Sequence, residues 1–223
     1  MVSSNTKIIS ISSPNSIIAD QYRSILTNIK LLNQNNSIKS ILVTSPSPNE
    51  GKTTTVVNLG VTLAAQNTKV LIIDANVKRP TIHNNFNLYN NIGLMDLLID
   101  DSMSPKEAIQ QTSIDNLDIL TSGIEKLNAL ESSNFKQLLS SLHSMYDVIL
   151  IDSTSLLEAT TTKVLASHCD GIVMVITLGQ TKLRETLAAK KEIDFINEKM
   201  LGVILNSNAQ NVIQRMVKKL TKK

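Results

Sequence analysis

The stretch that decides the fold is Ile41-Leu-Val-Thr-Ser-Pro-Ser-Pro-Asn-Glu-Gly-Lys-Thr-Thr-Thr55, an apolar run that leads through a polar loop into a helical pattern. A strand, loop and helix in this order aim several backbone N–H groups at one point, where the helix dipole also favours negative charge. In loops of this type the lysine reaches the β- and γ-phosphates and the next hydroxyl serves Mg²⁺. We therefore predict a nucleoside triphosphate site with Lys52 on the phosphates and Thr53 on the metal.

The loop departs from the general pattern G-x-x-x-x-G-K-[ST], which asks for glycine where Pro46 stands. Asn49 occupies a position where glycine turns most easily, but asparagine tolerates left-handed backbone angles better than other residues. The alternative interpretation is an ordinary Pro-rich turn between a strand and a helix. The apolar strand before the loop and the helix after it favour the nucleotide site. Its predicted binding residues are Asn49, Glu50, Gly51, Lys52, Thr53 and Thr54.

Composition excludes several classes of protein. The 223 residues carry a net charge of only +3, with no Trp, three Phe and three Tyr, so neither a basic surface nor base-stacking platforms point to a nucleic-acid partner. A single cysteine, Cys169, rules out an internal disulfide framework and fits a reducing compartment. No apolar run approaches the roughly 18 residues of a membrane span, and the first ten residues lack the apolar core of a secretion signal. These features predict a cytoplasmic protein.

Short apolar runs alternate with helical patterns along the chain. The predicted strands are 40–44, 69–73, 117–120, 147–151, 171–177 and 200–205, and the predicted helices are 20–32, 52–66, 134–144, 161–167 and 182–197. Apolar runs of this kind suit strands buried on both faces. We predict a single-domain α/β fold whose sheet is mostly parallel, with helices on both faces.

Two of the apolar runs end in an aspartate, Val70-Leu-Ile-Ile-Asp74 and Val148-Ile-Leu-Ile-Asp152. The carboxyl ends of parallel strands share one edge of a sheet, where ligands of such folds bind. A carboxylate at that edge can hold Mg²⁺ or polarise a nucleophile near a phosphate, whereas the alternative is a cap for the segment that follows. The presence of two such runs beside the predicted phosphate loop favours a catalytic role over a capping role. Lys52, Asp74 and Asp152 are therefore the predicted catalytic residues.

The chain resembles the bacterial tyrosine kinases of capsular and exopolysaccharide synthesis, which belong to the deviant P-loop ATPases together with partition and septum-site proteins. The resemblance rests on Ser45-Pro-Ser-Pro-Asn-Glu-Gly-Lys-Thr-Thr-Thr55, on Leu71-Ile-Ile-Asp-Ala-Asn-Val-Lys-Arg-Pro80 and on Tyr146-Asp-Val-Ile-Leu-Ile-Asp152. The shorter stretch Leu201-Gly-Val-Ile-Leu-Asn206 supports it. On this basis we divide the chain into an N-terminal segment and helix (1–39), a P-loop ATPase or kinase domain (40–207) and a basic tail (208–223).

The resemblance implies that the protein binds ATP and Mg²⁺ and phosphorylates tyrosine in protein substrates. It places Lys52 on the phosphates, Thr53 and Asp152 on the metal, and Asp74 beside the tyrosine hydroxyl. The implied partners are a membrane-bound activator that regulates polysaccharide chain length, the protein substrates and further copies of the chain in a homo-oligomer. The protein would then lie peripherally at the inner face of the membrane.

The chain also departs from the pattern of this family. Asn76 stands where the second motif usually has a second aspartate, and Ser153-Thr154-Ser155 replaces the usual Thr-Pro-Pro. The residues from Ile213 to Lys223 contain no tyrosine, although the family usually ends in a tyrosine cluster. A kinase therefore remains one hypothesis, and an ATP-binding switch protein that regulates a membrane partner is the other. A scaffold that binds nucleotide weakly is a third.

The E-x-x-R-x-x-R pattern through which the family forms oligomers corresponds here to Asp20, Arg23 and Leu26, so its last arginine is lost. The basic tail could rest on an anionic membrane surface, or it could be a solvated terminal helix.

Overall fold

The apolar runs lie side by side in one sheet. The computed structural model describes residues 8–35, 37–124, 130, 134–196 and 199–207. Within them the strands are β1 (Ser40–Thr44), β2 (Val70–Asp74), β3 (Ile109–Gln111), β4 (Leu117–Leu120), β5 (Val148–Asp152), β6 (Gly171–Thr177) and β7 (Met200–Asn206). Their order is β3-β4-β2-β5-β1-β6-β7, and only the β3–β4 pair is antiparallel. Because β1 lies next to the central strand β5, the loop that follows β1 lies near the middle of the carboxyl edge.

Helices cover both faces of this sheet. They are α1 (Ile9–Ser12), α2 (Ile17–Leu32), α3 (Lys52–Ala64), α4 (Ile82–Phe86), α5 (Leu94–Ile99), α6 (Pro105–Ala108), α7 (Asn134–Leu142), α8 (Thr160–Ala166) and α9 (Leu183–Phe195). All five residues of β1 and of β2 are buried, as expected for strands covered on both faces. The predicted fold class is therefore confirmed. The prediction missed β3 and the short helices α1, α4, α5 and α6.

Two apolar clusters form the core, one on each face. Leu42, Leu71 and Ile151 pack toward α5, α7, α8 and α9 in one cluster. Their neighbours Ile41, Val43 and Ile72 pack toward α2 and α3 in the other. This alternation along single strands follows from the two-residue period of side chains in a pleated sheet.

Helix α3 is unusual because its surface is buried almost all round. Eleven of its thirteen residues are buried, including the polar Asn58 and Thr62. The Thr62 hydroxyl donates to the Asn58 carbonyl at 2.7 Å, so a polar group inside the fold keeps a partner. A helix enclosed in this way holds its first residue, Lys52, in a fixed place relative to the sheet.

Cys169 is buried, and its Sγ lies 3.1 Å from the Leu165 carbonyl oxygen. Among the described residues, none of the helices has the length and apolar character that crossing a bilayer requires. The tail 208–223 and residues 1–7 of the predicted N-terminal segment lie outside the described residues.

Gly93, at the start of α5, packs so closely that no side chain fits. A Cβ atom there would lie 2.2 Å from the Thr121 carbonyl oxygen and 2.4 Å from the Gly123 nitrogen, which are backbone atoms and cannot swing away. We expect Gly93→Ala to destabilise the protein by about 3 kcal/mol, at the upper end of the usual cost of overpacking. Gly202→Ala is the matched control, because a Cβ there meets nothing within 4 Å. Urea unfolding that shows equal stability for the two variants would contradict this packing.

Candidate nucleotide-binding and catalytic site

The predicted site residues meet at the carboxyl edge of the central strands. Asp74 ends β2 and Asp152 ends β5, and the two are register partners in adjacent parallel strands. The Thr53 hydroxyl donates to Oδ2 of Asp152 at 2.6 Å, and the Lys52 ammonium donates to the Ser45 hydroxyl at 2.8 Å. The structure therefore brings Lys52, Thr53, Asp74 and Asp152 together.

The backbone of the loop depends on two left-handed positions. Asn49 has φ 59° and Gly51 has φ +89°. The first bears out the expectation that asparagine replaces glycine at this turn. At Gly51 a side chain is excluded, since a Cβ would lie 2.3 Å from Nδ2 of Asn206. The loop therefore passes close to the end of β7 before α3 begins.

Glu50 connects the loop to the carboxyl ends of β6 and β7. Its carbonyl accepts hydrogen bonds from the Thr177 hydroxyl and the Asn206 amide, both at 3.1 Å. Its Oε1 accepts from the Thr181 hydroxyl at 2.6 Å, and burial raises the pKa of the Glu50 carboxyl. Sequence reasoning named Glu50 but missed these three partners, which lie more than a hundred residues away. The only signal for them was the stretch that ends in Asn206.

Asp74 is fully buried and held by the backbone of the turn that follows it. Its Oδ1 accepts from the Asn76 N–H, and its Oδ2 accepts from the N–H groups of Thr81 and Ile82, each at 3.1 Å. Burial raises the pKa of Asp74 to about 6, although these three hydrogen bonds oppose the shift. The carboxylate is therefore fixed in orientation.

Asp152 is also fully buried, and only one of its oxygens is satisfied. Burial and the neighbouring charge of Asp74 raise its pKa to about 8, while the Thr53 hydroxyl and the Lys52 ammonium oppose the shift. Among the described residues, Oδ1 of Asp152 has no hydrogen-bond partner. A buried carboxylate oxygen without a partner is costly unless a ligand completes it.

The residues at this edge fit a bound cation and a polyphosphate. The Thr53 hydroxyl and Oδ1 of Asp152 are hard oxygen ligands of the kind that Mg²⁺ prefers. Lys52 is 7% exposed and contributes a positive charge, and burial lowers the pKa of its ammonium while Asp152 and Glu50 oppose that change. Beside them lies a cleft of about 280 Å³, which is lined by Thr53, Thr54, Val57, Asn58, Thr81, Asn84 and Asn85.

The other predicted residues lie around this centre. Asn49 and Thr54 are exposed at the rim of the loop, and Asn76 is half-buried beside Asp74. Lys78 and Arg79 are exposed on the turn that follows, where they are solvated. The turn Ser153-Thr154-Ser155 is buried, and its Ser153 hydroxyl donates to the Val43 carbonyl at 3.0 Å. Hydrogen bonds therefore stabilise the turn where the family usually has prolines.

Residues 38–201 match a protein family described as an AAA domain. The tyrosine-protein kinase YwqD of Bacillus subtilis (strain 168) is 37% identical over 202 residues, which cover 89% of this chain and 85% of YwqD. The chain belongs to the bacterial tyrosine-protein kinase family. This membership confirms the resemblance identified from the three motifs, and with it the predicted enzyme class.

Solved structures agree with this assignment. The chimerical protein CapA2B2 is 33% identical and superimposes with a TM-score of 0.83, covering 89% of this chain and 88% of that one. The septum site-determining protein MinD of Pyrococcus horikoshii, complexed with Mg-ADP, is 24% identical with a TM-score of 0.67 and covers 78% of this chain and 72% of that one. The likeness to MinD shows the P-loop ATPase fold alone, and that fold implies nucleotide binding.

Proposed function

We propose that this bacterial tyrosine kinase transfers the γ-phosphoryl group of Mg-ATP to tyrosine hydroxyls of proteins. The observation that carries the proposal is the convergence of Lys52, Thr53 and Asp152 around one buried carboxylate oxygen that has no hydrogen-bond partner in the described part of the chain, with Asp74 on the adjacent strand. Phosphoryl transfer needs in-line positioning and cancellation of negative charge more than covalent chemistry. The arrangement offers both.

Each residue has a distinct role in this proposal. Lys52 offsets the charge that develops on the transferred phosphoryl group, and the N–H groups at the start of α3 orient the phosphates. Thr53 and Asp152 would hold Mg²⁺, which when bound supplies further neutralisation of the phosphate oxygens. Asp74 would take the proton of the tyrosine hydroxyl, since three backbone N–H groups fix its carboxylate at the strand end and burial raises its pKa toward the range of a general base.

The kinase proposal is tested with radiolabelled ATP, Mg²⁺ and a copolymer of glutamate and tyrosine, with and without the cytoplasmic segment of a cognate membrane protein. We expect label on tyrosine, and we expect it to depend on Mg²⁺. Saturable ATP binding without any transfer, in both conditions, would contradict the kinase proposal and support the switch protein described next.

The second candidate is a kinase-impaired ATP-binding switch that regulates a membrane partner. Asn76 favours it, because an amide cannot supply the second negative charge that the family usually places beside the metal. In such a protein, nucleotide occupancy would order the loops around Lys52 and Asp152 and change the affinity for the partner.

The pathway and the partners are also proposals. We infer a role in capsular or exopolysaccharide synthesis and a membrane-bound activator from the resemblance of the motifs. The similarity to CapA2B2, which is described as a chimerical protein, is compatible with a kinase that functions together with a second polypeptide. Attachment through that partner would place the chain at the inner face of the membrane. Assembly into a homo-oligomer stays a prediction.

Asn76→Asp tests whether residue 76 lies near the metal. A negative charge a few ångströms from Mg²⁺ is expected to tighten Mg²⁺-nucleotide binding by about tenfold, close to 1.4 kcal/mol. Titration with a fluorescent ATP analogue at several Mg²⁺ concentrations measures the effect. Asn87→Asp is the control, because it adds the same charge to an exposed residue at the far end of α4. Unchanged or weaker binding in Asn76→Asp would exclude residue 76 from the metal site.

A further inference from the structure

Part of the sheet at its β7 end is exposed to solvent on one side. Val203 and Leu205 of β7 are 48% and 58% exposed. Their register partners in β6 are Met174, which is 1% exposed, and Ile176, which packs against the core on the α9 side. Register partners in a parallel sheet point to the same side, because side chains alternate with the same period in both strands. Val203 and Leu205 therefore lie on the α9 side of the sheet.

Helix α9 extends this apolar surface. Leu183 and Leu187 are exposed and four positions apart, so they lie on one face of the helix. Glu192 of α9 pairs with Lys163 of α8 at 2.6 Å, which places α8 on one flank. Leu183 lies nine residues before Glu192, or about two and a half turns, and therefore on the opposite flank. Helix α8 contacts β1, on the other side of β6 from β7, so Leu183 and Leu187 lie on the flank toward β7.

Four exposed side chains define this surface, which we call the edge face: Leu183, Leu187, Val203 and Leu205. An exposed apolar patch of this kind marks a surface that another element covers. The neighbouring segment of the chain is the basic tail, which begins two residues after β7 ends.

The basic tail carries an amphipathic pattern. Its apolar residues recur with the spacing of one helical face: Ile213, Met216, Val217 and Leu220. Its cationic residues fall on the other side of the same helix: Arg215, Lys218, Lys219 and Lys222. The pattern therefore predicts a short helix with one apolar and one basic face. A helix of this length is marginal alone in water, so it needs a surface to pack on.

The connection from β7 is long enough to reach the edge face. Six residues separate Asn206 from Ile213, and a chain of that length extends to about 20 Å, which is enough for a turn back over the sheet. A helix from Ile213 to Leu220 is about 12 Å long, and the seven residues of β7 span about 23 Å. The connection from β6 to β7 through α9 already lies on this side. A helix that continues the same winding therefore lies beside α9.

We propose that the tail forms a helix over residues 212–220 that docks on the edge face of its own molecule, beside α9 and antiparallel to β7. Docking removes two apolar surfaces from water at once, whereas a helix bound to a membrane would leave the edge face exposed. The short connection also gives the tail a higher effective concentration at its own edge face than at that of another copy. The basic residues of the tail then face solvent. This docking does not depend on the proposed kinase function.

The first test measures how accessible the tail is. Trypsin cuts the tail after its basic residues, and mass spectrometry of the intact chain follows the loss of the tail. A polar residue on the edge face should favour the undocked tail, so we expect Leu187→Gln and Leu205→Gln to speed this cleavage by about tenfold. Leu31→Gln is the matched control, because it changes a similarly exposed leucine on α2, which packs on the other side of the sheet. Circular dichroism should show that all three variants are folded.

The second test identifies the molecule that binds the tail. A short bismaleimide is added to dilute Lys190→Cys/Lys219→Cys protein, in which one introduced cysteine lies on α9 and the other in the tail. We expect a cross-linked monomer. Lys30→Cys/Lys219→Cys is the control and should give none, because Lys30 is exposed on α2 on the other side of the sheet. The native Cys169 is buried and does not compete for the reagent.

Each contrary result overturns a distinct part of the proposal. Cleavage at the wild-type rate in both Leu187→Gln and Leu205→Gln overturns the edge face as the docking site. Cross-linked dimers without a cross-linked monomer show that the tail binds a second copy, which overturns docking on its own molecule. Absence of any cross-link overturns docking altogether. If the intact chain, but not a chain ending at Ser207, then sediments with phosphatidylserine vesicles, the tail binds a membrane surface instead.

Discussion

Lys52→Ala is expected to reduce phosphoryl transfer by about 10²–10³-fold, the usual cost of removing one group that stabilises transition-state charge. The ammonium is buried beside Asp152 and Glu50, at the first residue of the enclosed helix α3. The change removes the positive charge that the proposed site directs at the phosphates. Initial rates of label transfer to the glutamate–tyrosine copolymer measure the loss.

The control for this variant is Lys190→Ala, which removes an exposed lysine paired with Asp194 on α9. Such a surface ion pair contributes little to stability, so both activity and folding should stay at the wild-type level. Circular dichroism and thermal unfolding should show that Lys52→Ala is also folded. A folded Lys52→Ala protein that keeps more than half of the wild-type rate would place the phosphates elsewhere.

Asp152→Asn is expected to change activity and stability in opposite directions. The asparagine can still accept a hydrogen bond from the Thr53 hydroxyl, but it carries no negative charge to bind Mg²⁺. The rate of phosphoryl transfer should therefore fall by about 10²-fold. In the folded protein, burial raises the pKa of Asp152 to about 8 and that of Asp74 to about 6. In the unfolded chain, both carboxyl groups lose their protons near pH 4. The stability of the nucleotide-free wild-type protein should therefore decrease as the pH rises from about 4 to about 8.

The asparagine removes the larger part of this pH dependence because it has no proton to lose. At pH 8 the nucleotide-free variant should be more stable than the wild-type protein by about 3 kcal/mol, an order-of-magnitude figure for a buried carboxylate. Urea unfolding at pH 6 and pH 8 measures the slope. Asp194→Asn, on the exposed face of α9, should keep the wild-type slope. If Asp152→Asn kept it too, the buried pair would not be the source of the pH dependence.

Much of the fold could be predicted because strands buried on both faces appear in the sequence as short runs of apolar residues. The bounds of β1, β4 and β6 agree with the prediction, since each is a short apolar run enclosed by helices. The aspartates that end β2 and β5 were predicted to share an edge, and the register places them side by side. In contrast, β3 has three partly exposed or exposed residues, Ile109–Gln111, and carries no periodic signal.

The motifs predicted that Lys52, Asp74 and Asp152 would meet at one edge of the sheet, and the structure brings them together there. Their catalytic roles stay predictions. The partners that shape the loop could not be found, because Thr177, Thr181 and Asn206 reach Glu50 only through the order of β1, β6 and β7. The two hydrogen bonds between the Gln110 side chain and the backbone of Tyr89 could not be found either, since they depend on β3, which the sequence did not reveal.

The bond from Asn206 to the Glu50 carbonyl has a consequence for synthesis on the ribosome. Most of the sheet consists of residues made before Asn206, so a nascent chain can assemble strands β1 to β6 while its loop still lacks this tether. The loop would then take its final shape only after the seventh strand docks beside the sixth. The last of the seven strands would thus complete the proposed nucleotide site.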